Sequence, residues 1–217
     1  MMKNGLRLNH LNRAIIASFL LIAPVALAHA QDHSHHQQHQ HGHHQHHGET
    51  LAAAAPLTTE SLYQTELSWV NQHNETIELA DLRGKPVIVT MIYASCNTAC
   101  PVLVQDIRRI EQQLGDAAAN MQVLVVSFDH ENDTPERLAE FAEQQRANKD
   151  GWHFVTGSAS DIRTWAALMG IRYRQNPNGG YDHSNVIGVL NAEGELVHRH
   201  EGLNRHHEKV AQVLLAL

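Results

Sequence analysis

The chain has 217 residues, with 16 Lys and Arg against 23 Asp and Glu, a net charge of −7 with histidine neutral, and 19 histidines beside two cysteines. That acidic balance excludes a surface built to neutralise nucleic-acid phosphate or anionic lipid, which takes clustered Lys and Arg. The length suits one domain with a real core.

Residues 1–30 read as a secretory signal peptide. Lys3, Arg7 and Arg13 make a basic start, an apolar run follows from Ala14 to Ala28, and Ala28-His29-Ala30 is a small-x-small cleavage site. The run is short for a membrane span, which takes about 20 apolar residues, so an uncleaved anchor is the lesser alternative. Cleavage after Ala30 removes three basic residues and no acidic one, leaving 13 against 23 and a mature net charge of −10. The expected location is the periplasm or another extracytoplasmic space.

Residues 31–56 follow as a His-rich tract and linker. From His29 to His47 there are ten histidines among Gln and Gly with almost no apolar side chain, a composition that buries no core. The tract is either a solvated spacer or a loose copper or zinc reservoir, since neutral imidazole is a common ligand. Residues 57–217 are then the folded domain.

Within that domain, Leu67 to Leu79 suggests a hairpin around a polar turn. Val87 to Ala94 (VIVTMIYA) is a continuous apolar run of the kind a buried parallel strand shows. Val102, Leu103, Ile107, Ile110 and Leu114 recur at helical spacing, with Pro101 suited to a first turn and Gly115 to the stop. Met121–Phe128 reads as the next strand, and Asp133-Thr134-Pro135-Glu136 opens a helix to about Arg146, with Asp133 taken as its cap. A strand over Trp152–Gly157 precedes a helix started by Ser158 and ended near Gly170. Strands joined by turns at 176–180 and 193–194 follow, then a last amphipathic helix from about His206. The order implies an α/β class: a thioredoxin-like central sheet flanked by helices on both faces, with an N-terminal β-hairpin.

Cys96 and Cys100 lie where the first long strand feeds its helix. As a structural disulfide they would close a loop of about 5 residues and constrain the unfolded chain by only about 2 kcal/mol. A helix N-terminus instead favours thiolate through unpaired N–H groups and the macrodipole. With the helix begun by Cys96, positions i and i+4 share a face and both sulfurs aim at one atom. Such a pair suits Cu(I) or Zn, or can cycle as a redox disulfide.

Tyr93-Ala-Ser-Cys96-Asn-Thr-Ala-Cys100-Pro101 resembles the C-x-x-x-C-P motif of the Sco/SenC family of copper-delivery proteins. Ser127 to Pro135 resembles that family's S-x-D-P-x-x-D-T-P stretch, Tyr181-Asp182-His183-Ser184 its D-H-S segment, and Gly151–Gly170 its intervening strand and helix. The resemblance spans about Leu57 to the C-terminus. It implies copper, as Cu(I) or Cu(II), held by Cys96 and Cys100 as sulfur ligands and His183 as imidazole ligand. It also implies delivery to a cuproprotein, the dinuclear copper site of cytochrome c oxidase above all, with a copper donor or thiol reductant as further partner. Two features depart from the family: His130 stands where Pro is usual, and the leader reads as cleavable where many relatives are membrane-anchored. His130 reads as an exposed loop residue, and His198 and His200 as a solvated strand face.

The rival reading is an enzyme, a thiol–disulfide reductase that keeps a partner's copper-site cysteines reduced. A peroxidase of the P-x-x-x-T-x-x-C type is disfavoured by Val89 and Tyr93 at those places. A general disulfide oxidoreductase carries C-x-x-C and a cis-proline on the facing strand, whereas this chain has an extra residue between its cysteines and no proline after Tyr181. No catalytic residue is assigned beyond the Cys96–Cys100 pair of that alternative.

Overall fold

The computed structural model describes residues 61–205 and 207–217. The signal peptide expected at 1–30 and the His-rich tract and linker at 31–56 lie outside the described residues. Among the described residues no helix is long and apolar enough to cross a membrane.

Strand β3 (Val87–Ile92) forms the middle of the domain because every one of its six side chains is apolar or hydrogen-bonded and all are buried. The one polar member, Thr90, donates its hydroxyl to the Val186 carbonyl at 2.7 Å, which satisfies it inside the sheet. Strand β4 (Gln122–Ser127) runs parallel beside β3, from Val87 opposite Gln122 to Ile92 opposite Ser127. On the outer side of β4 comes β5 (Trp152–Gly157), parallel to it, then the hairpin β1 (Ser68–Asn71) and β2 (Thr76–Glu78). On the other side of β3 come antiparallel β8 (Val186–Leu190) and β9 (Leu196–Glu201), giving the order β2-β1-β5-β4-β3-β8-β9. Strands β6 (Tyr173–Gln175) and β7 (Tyr181–His183) form a separate two-stranded sheet.

Period-2 alternation splits the apolar residues between two cores. Ile88, Ile92, Val123 and Val125 face one layer with helices α1 (Ala99–Leu114), α2 (Pro135–Gln144) and α4 (His207–Leu215). Val87, Val89, Met91, Leu124 and Val126 face the other, with α3 (Ala159–Leu168) and the hairpin's Trp69. Gly188 on β8 is required by this packing: a Cβ there would meet Val89 Cγ2 at 2.8 Å and the Met169 side chain closer still.

The α/β sheet with an N-terminal hairpin is as expected, and several boundaries need correcting. Helix α1 begins at Ala99 with Thr98 as N-cap, so Cys96 sits in the preceding loop rather than on a shared helical face. The cap of α2 is Thr134, whose hydroxyl accepts the Arg137 N–H at 3.4 Å, and Asp133 is drawn away to another duty described below. His130, His198 and His200 are half-buried rather than solvated, the last two because α4 packs against β9.

Candidate metal centre

The parallel pairing of β3 and β4 brings their C-terminal ends together, so the loop carrying the cysteines and the loop from Phe128 to Asp133 become neighbours. Ligand sites in α/β sheets gather at such carboxyl ends. Three contacts fix the cysteine loop. The Cys96 N–H donates to the Tyr93 carbonyl at 3.2 Å, the Tyr93 N–H to Cys100 Sγ at 3.5 Å, and the Ala94 N–H to Asp133 Oδ2 at 2.8 Å. Asp133 Oδ2 also accepts the Ser127 hydroxyl at 2.5 Å, and this is why it does not cap α2. Burial pushes the Asp133 carboxyl above the usual carboxylate range.

Both cysteines are free and buried. Thr98 makes no side-chain cap to α1; the sulfur of Cys96 takes that place by accepting the Cys100 N–H at 3.4 Å. Its other neighbour is the Thr98 hydroxyl at 3.7 Å. The Cys100 thiol beside it, followed by backbone N–H groups of the helix start, brings the Cys96 pKa down to about 4 from 9.0. Cys100 moves the opposite way: it is held protonated as the donor to Cys96, and burial adds to the rise. The pair is therefore a thiolate at Cys96 against a more deeply buried thiol at Cys100 at neutral pH.

This asymmetry sets a pH dependence. Cys96 is ionised in the folded chain and protonated in the unfolded chain from about pH 4 up to the ordinary thiol range near 9.0, so its contribution to stability is full above that range and is lost as pH falls towards 4. Cys100 acts with opposite sign, since above the ordinary range only the unfolded chain ionises it. Stability from the pair should climb with pH and then fall again in alkali. Alkylation of Cys96 by iodoacetamide should accordingly follow a midpoint near pH 4. A midpoint in the ordinary thiol range would show that the helix start and Cys100 do not hold the thiolate.

His183 stands at the end of β7, outside the central sheet. Its ring lies 4.9 Å from Phe128 and 6.1 Å from Tyr93, centroid to centroid, with Nδ1 3.2 Å from the Ser184 carbonyl oxygen. Tyr93 is thus the common neighbour of His183 and the cysteines, through its ring on one side and its N–H on the other. Among the described residues no three His, Cys, Asp or Glu side chains stand together in ligating geometry. The two cysteines are hydrogen-bonded to each other, and His183 stands on the other side of Tyr93 from Cys100.

The sequence alone missed Asp133, Phe128 and Asp129 as parts of this neighbourhood. The motif around them is visible in the chain, but their approach to the cysteine loop depends on the β3–β4 register.

A thioredoxin-like α/β domain with two free cysteines at its first strand-to-helix turn defines a class that handles thiols or soft metals. The SCO1/SenC family profile matches residues 55–217, three quarters of the chain, and the chain belongs to that family. A SCO1 protein homolog of Bacillus subtilis (strain 168) is 27% identical over 147 residues, covering 65% of this chain and 75% of the relative. Bradyrhizobium japonicum ScoI, solved with copper bound, superposes with a TM-score of 0.60 at 19% identity, covering 70% of this chain and 97% of that one. BsSco, described with a disulfide switch as a member of the Sco family of cytochrome c oxidase assembly proteins, gives a TM-score of 0.64 at 20% identity over 76% of this chain and 96% of its own. At these identities the structural likeness establishes the fold.

Proposed function

We propose that this chain is an extracytoplasmic copper chaperone that takes up copper on Cys96, Cys100 and His183 and passes it to a cuproprotein, the dinuclear copper site of cytochrome c oxidase being the intended recipient. The observation that carries the reading is the cysteine pair itself: the Cys96 sulfur accepts the Cys100 N–H at a helix start and is held ionised, with His183 docked on the shared Tyr93. Soft sulfur suits Cu(I), and added imidazole extends the set to Cu(II). Family membership and the copper-bound structure of a relative support the metal; the description of BsSco supports the recipient. In this role copper is cargo: Cys96 offers a ready thiolate, Cys100 must release its proton on loading, and burial of both cysteines limits the access of water to the sulfurs.

The thiolate–thiol asymmetry also favours a second reading. A reductase needs an attacking thiolate and a protonated resolving thiol, and Cys96 and Cys100 fit those two roles.

Substituting His183 separates the two. His183→Ala should abolish or strongly shift the sulfur-to-Cu(II) absorption and stop cuproprotein assembly in cells, while Cys96 and Cys100 still oxidise and reduce. Normal assembly by a variant that has lost Cu(II) would overturn the chaperone reading and leave the reductase.

A further inference from the structure

The residue that completes the proposed ligand set is carried on a part of the fold with little backbone attachment. Among the described residues, hairpin β6–β7 shares no strand pairing with the central sheet. In its register Tyr173 pairs with His183 and Gln175 with Tyr181, so Tyr173, Tyr181 and His183 share one face. That face sits on Phe128, with ring centroids 5.2, 5.0 and 4.9 Å away for Tyr173, Tyr181 and His183 respectively. Ring packing of this kind holds an element down but tolerates sliding, because it has no single preferred register.

Two polar contacts of Tyr181 break that degeneracy, and one of them is its backbone hydrogen bond to the Tyr93 hydroxyl. The Tyr181 hydroxyl donates to Asp129 Oδ1 at 3.2 Å. Asp129 is itself immobilised: Oδ1 also accepts from Asn132 Nδ2 at 2.8 Å, its N–H donates to Ser127 Oγ at 3.0 Å, and its carbonyl accepts the Asp133 N–H at 2.8 Å. The hairpin is therefore referenced to the same 127–133 loop that, through Asp133, holds the cysteine loop. The Arg174–Asp182 ion pair, by contrast, joins the hairpin's two strands to each other. Close approach of the hairpin to the cysteine side is also visible at Gly180, where a Cβ would come within 3.2 Å of the Tyr93 hydroxyl.

We infer that Tyr181 is the positioning residue of the site: its hydrogen bond to Asp129 holds the His183 backbone in register with the loop that also anchors the cysteine loop. The inference rests on His183 being a ligand, and its test keeps the two apart.

Tyr181→Phe removes the hydroxyl and keeps the ring. With the hydroxyl gone the imidazole is no longer held on the cysteine side, and Cu(II) affinity should fall about tenfold. Cu(I) affinity, carried by the two sulfurs, should stay within about threefold. Asp129→Asn, which retains a carbonyl acceptor for the phenol but loses the charge, should cost less Cu(II) affinity than Tyr181→Phe, and a larger loss would overturn the assignment. In a His183→Ala background Tyr181→Phe should have no further effect on Cu(II), because the ligand it positions is gone. Unchanged Cu(II) affinity in Tyr181→Phe, alongside a clear loss in His183→Ala, would overturn the positioning role alone. An equal loss of Cu(I) and Cu(II), or a further loss in the His183→Ala background, would also overturn it, as general loosening of the site. No effect from His183→Ala itself would overturn the ligand set together with this inference.

Discussion

Replacing Cys96 by serine should lower Cu(I) affinity on the order of 100- to 1,000-fold, measured by competition with a Cu(I)-specific chelator. Structural metal sites with four ligands are worth roughly 10–16 kcal/mol, so one thiolate carries about 3–4 kcal/mol of binding. Serine cannot substitute, because its hydroxyl stays protonated where the Cys96 thiol ionises at about 4. The folded state should survive this change, since a serine oxygen can still accept the Cys100 N–H that the sulfur caps. Oxidation of the Cys96–Cys100 pair should have the same consequence for copper, as it consumes both ligands. Affinity within threefold of the unsubstituted chain, in either the serine variant or the oxidised form, would remove the cysteines from the ligand set.

Phe128→Ala should destabilise the domain by about 3–5 kcal/mol, the usual cost of deleting a buried aromatic ring with incomplete collapse of the cavity. Phe128 is 1% exposed and its ring is packed by Tyr93, Tyr173, Tyr181 and His183 at centroid distances between 4.9 and 5.4 Å. Removing it takes away the floor under the β6–β7 hairpin, so Cu(II) binding should weaken further than in Tyr181→Phe. Urea unfolding followed by far-UV circular dichroism measures the first effect. A loss below about 1 kcal/mol would mean that the hairpin closes onto the gap, and that this ring does not anchor His183.

The sequence by itself was enough for the α/β class and most of its elements. Continuous apolar runs such as Val87–Ile92 and Val123–Val126 announce buried strands, and Pro135 after Thr134 announces a helix start, because both signals are local. The three proposed ligands come from the C-x-x-x-C spacing and the resemblance of the D-H-S segment rather than from geometry, and among the described residues they do not stand together as a set. What the tertiary structure decided concerns partners far apart in the chain. Asp133 reads as a helix cap in any local window, yet its carboxylate accepts the N–H of Ala94, 39 positions earlier, since the β3–β4 register puts the two loop starts side by side. A single Thr134 hydroxyl can then satisfy the helix end, leaving the acid free for the cysteine loop. The start of α1 moved for a similar reason: Cys96, whose N–H is held by the Tyr93 carbonyl while its sulfur caps the Cys100 N–H from outside, stays non-helical. The half-burial of His198 and His200 follows from α4 folding back over β9, a contact that strand alternation cannot reveal. Tyr181 is the furthest from local inference. Its hydroxyl meets a carboxylate 52 residues away, and only the stacking of the hairpin on Phe128 brings that pair into reach of each other.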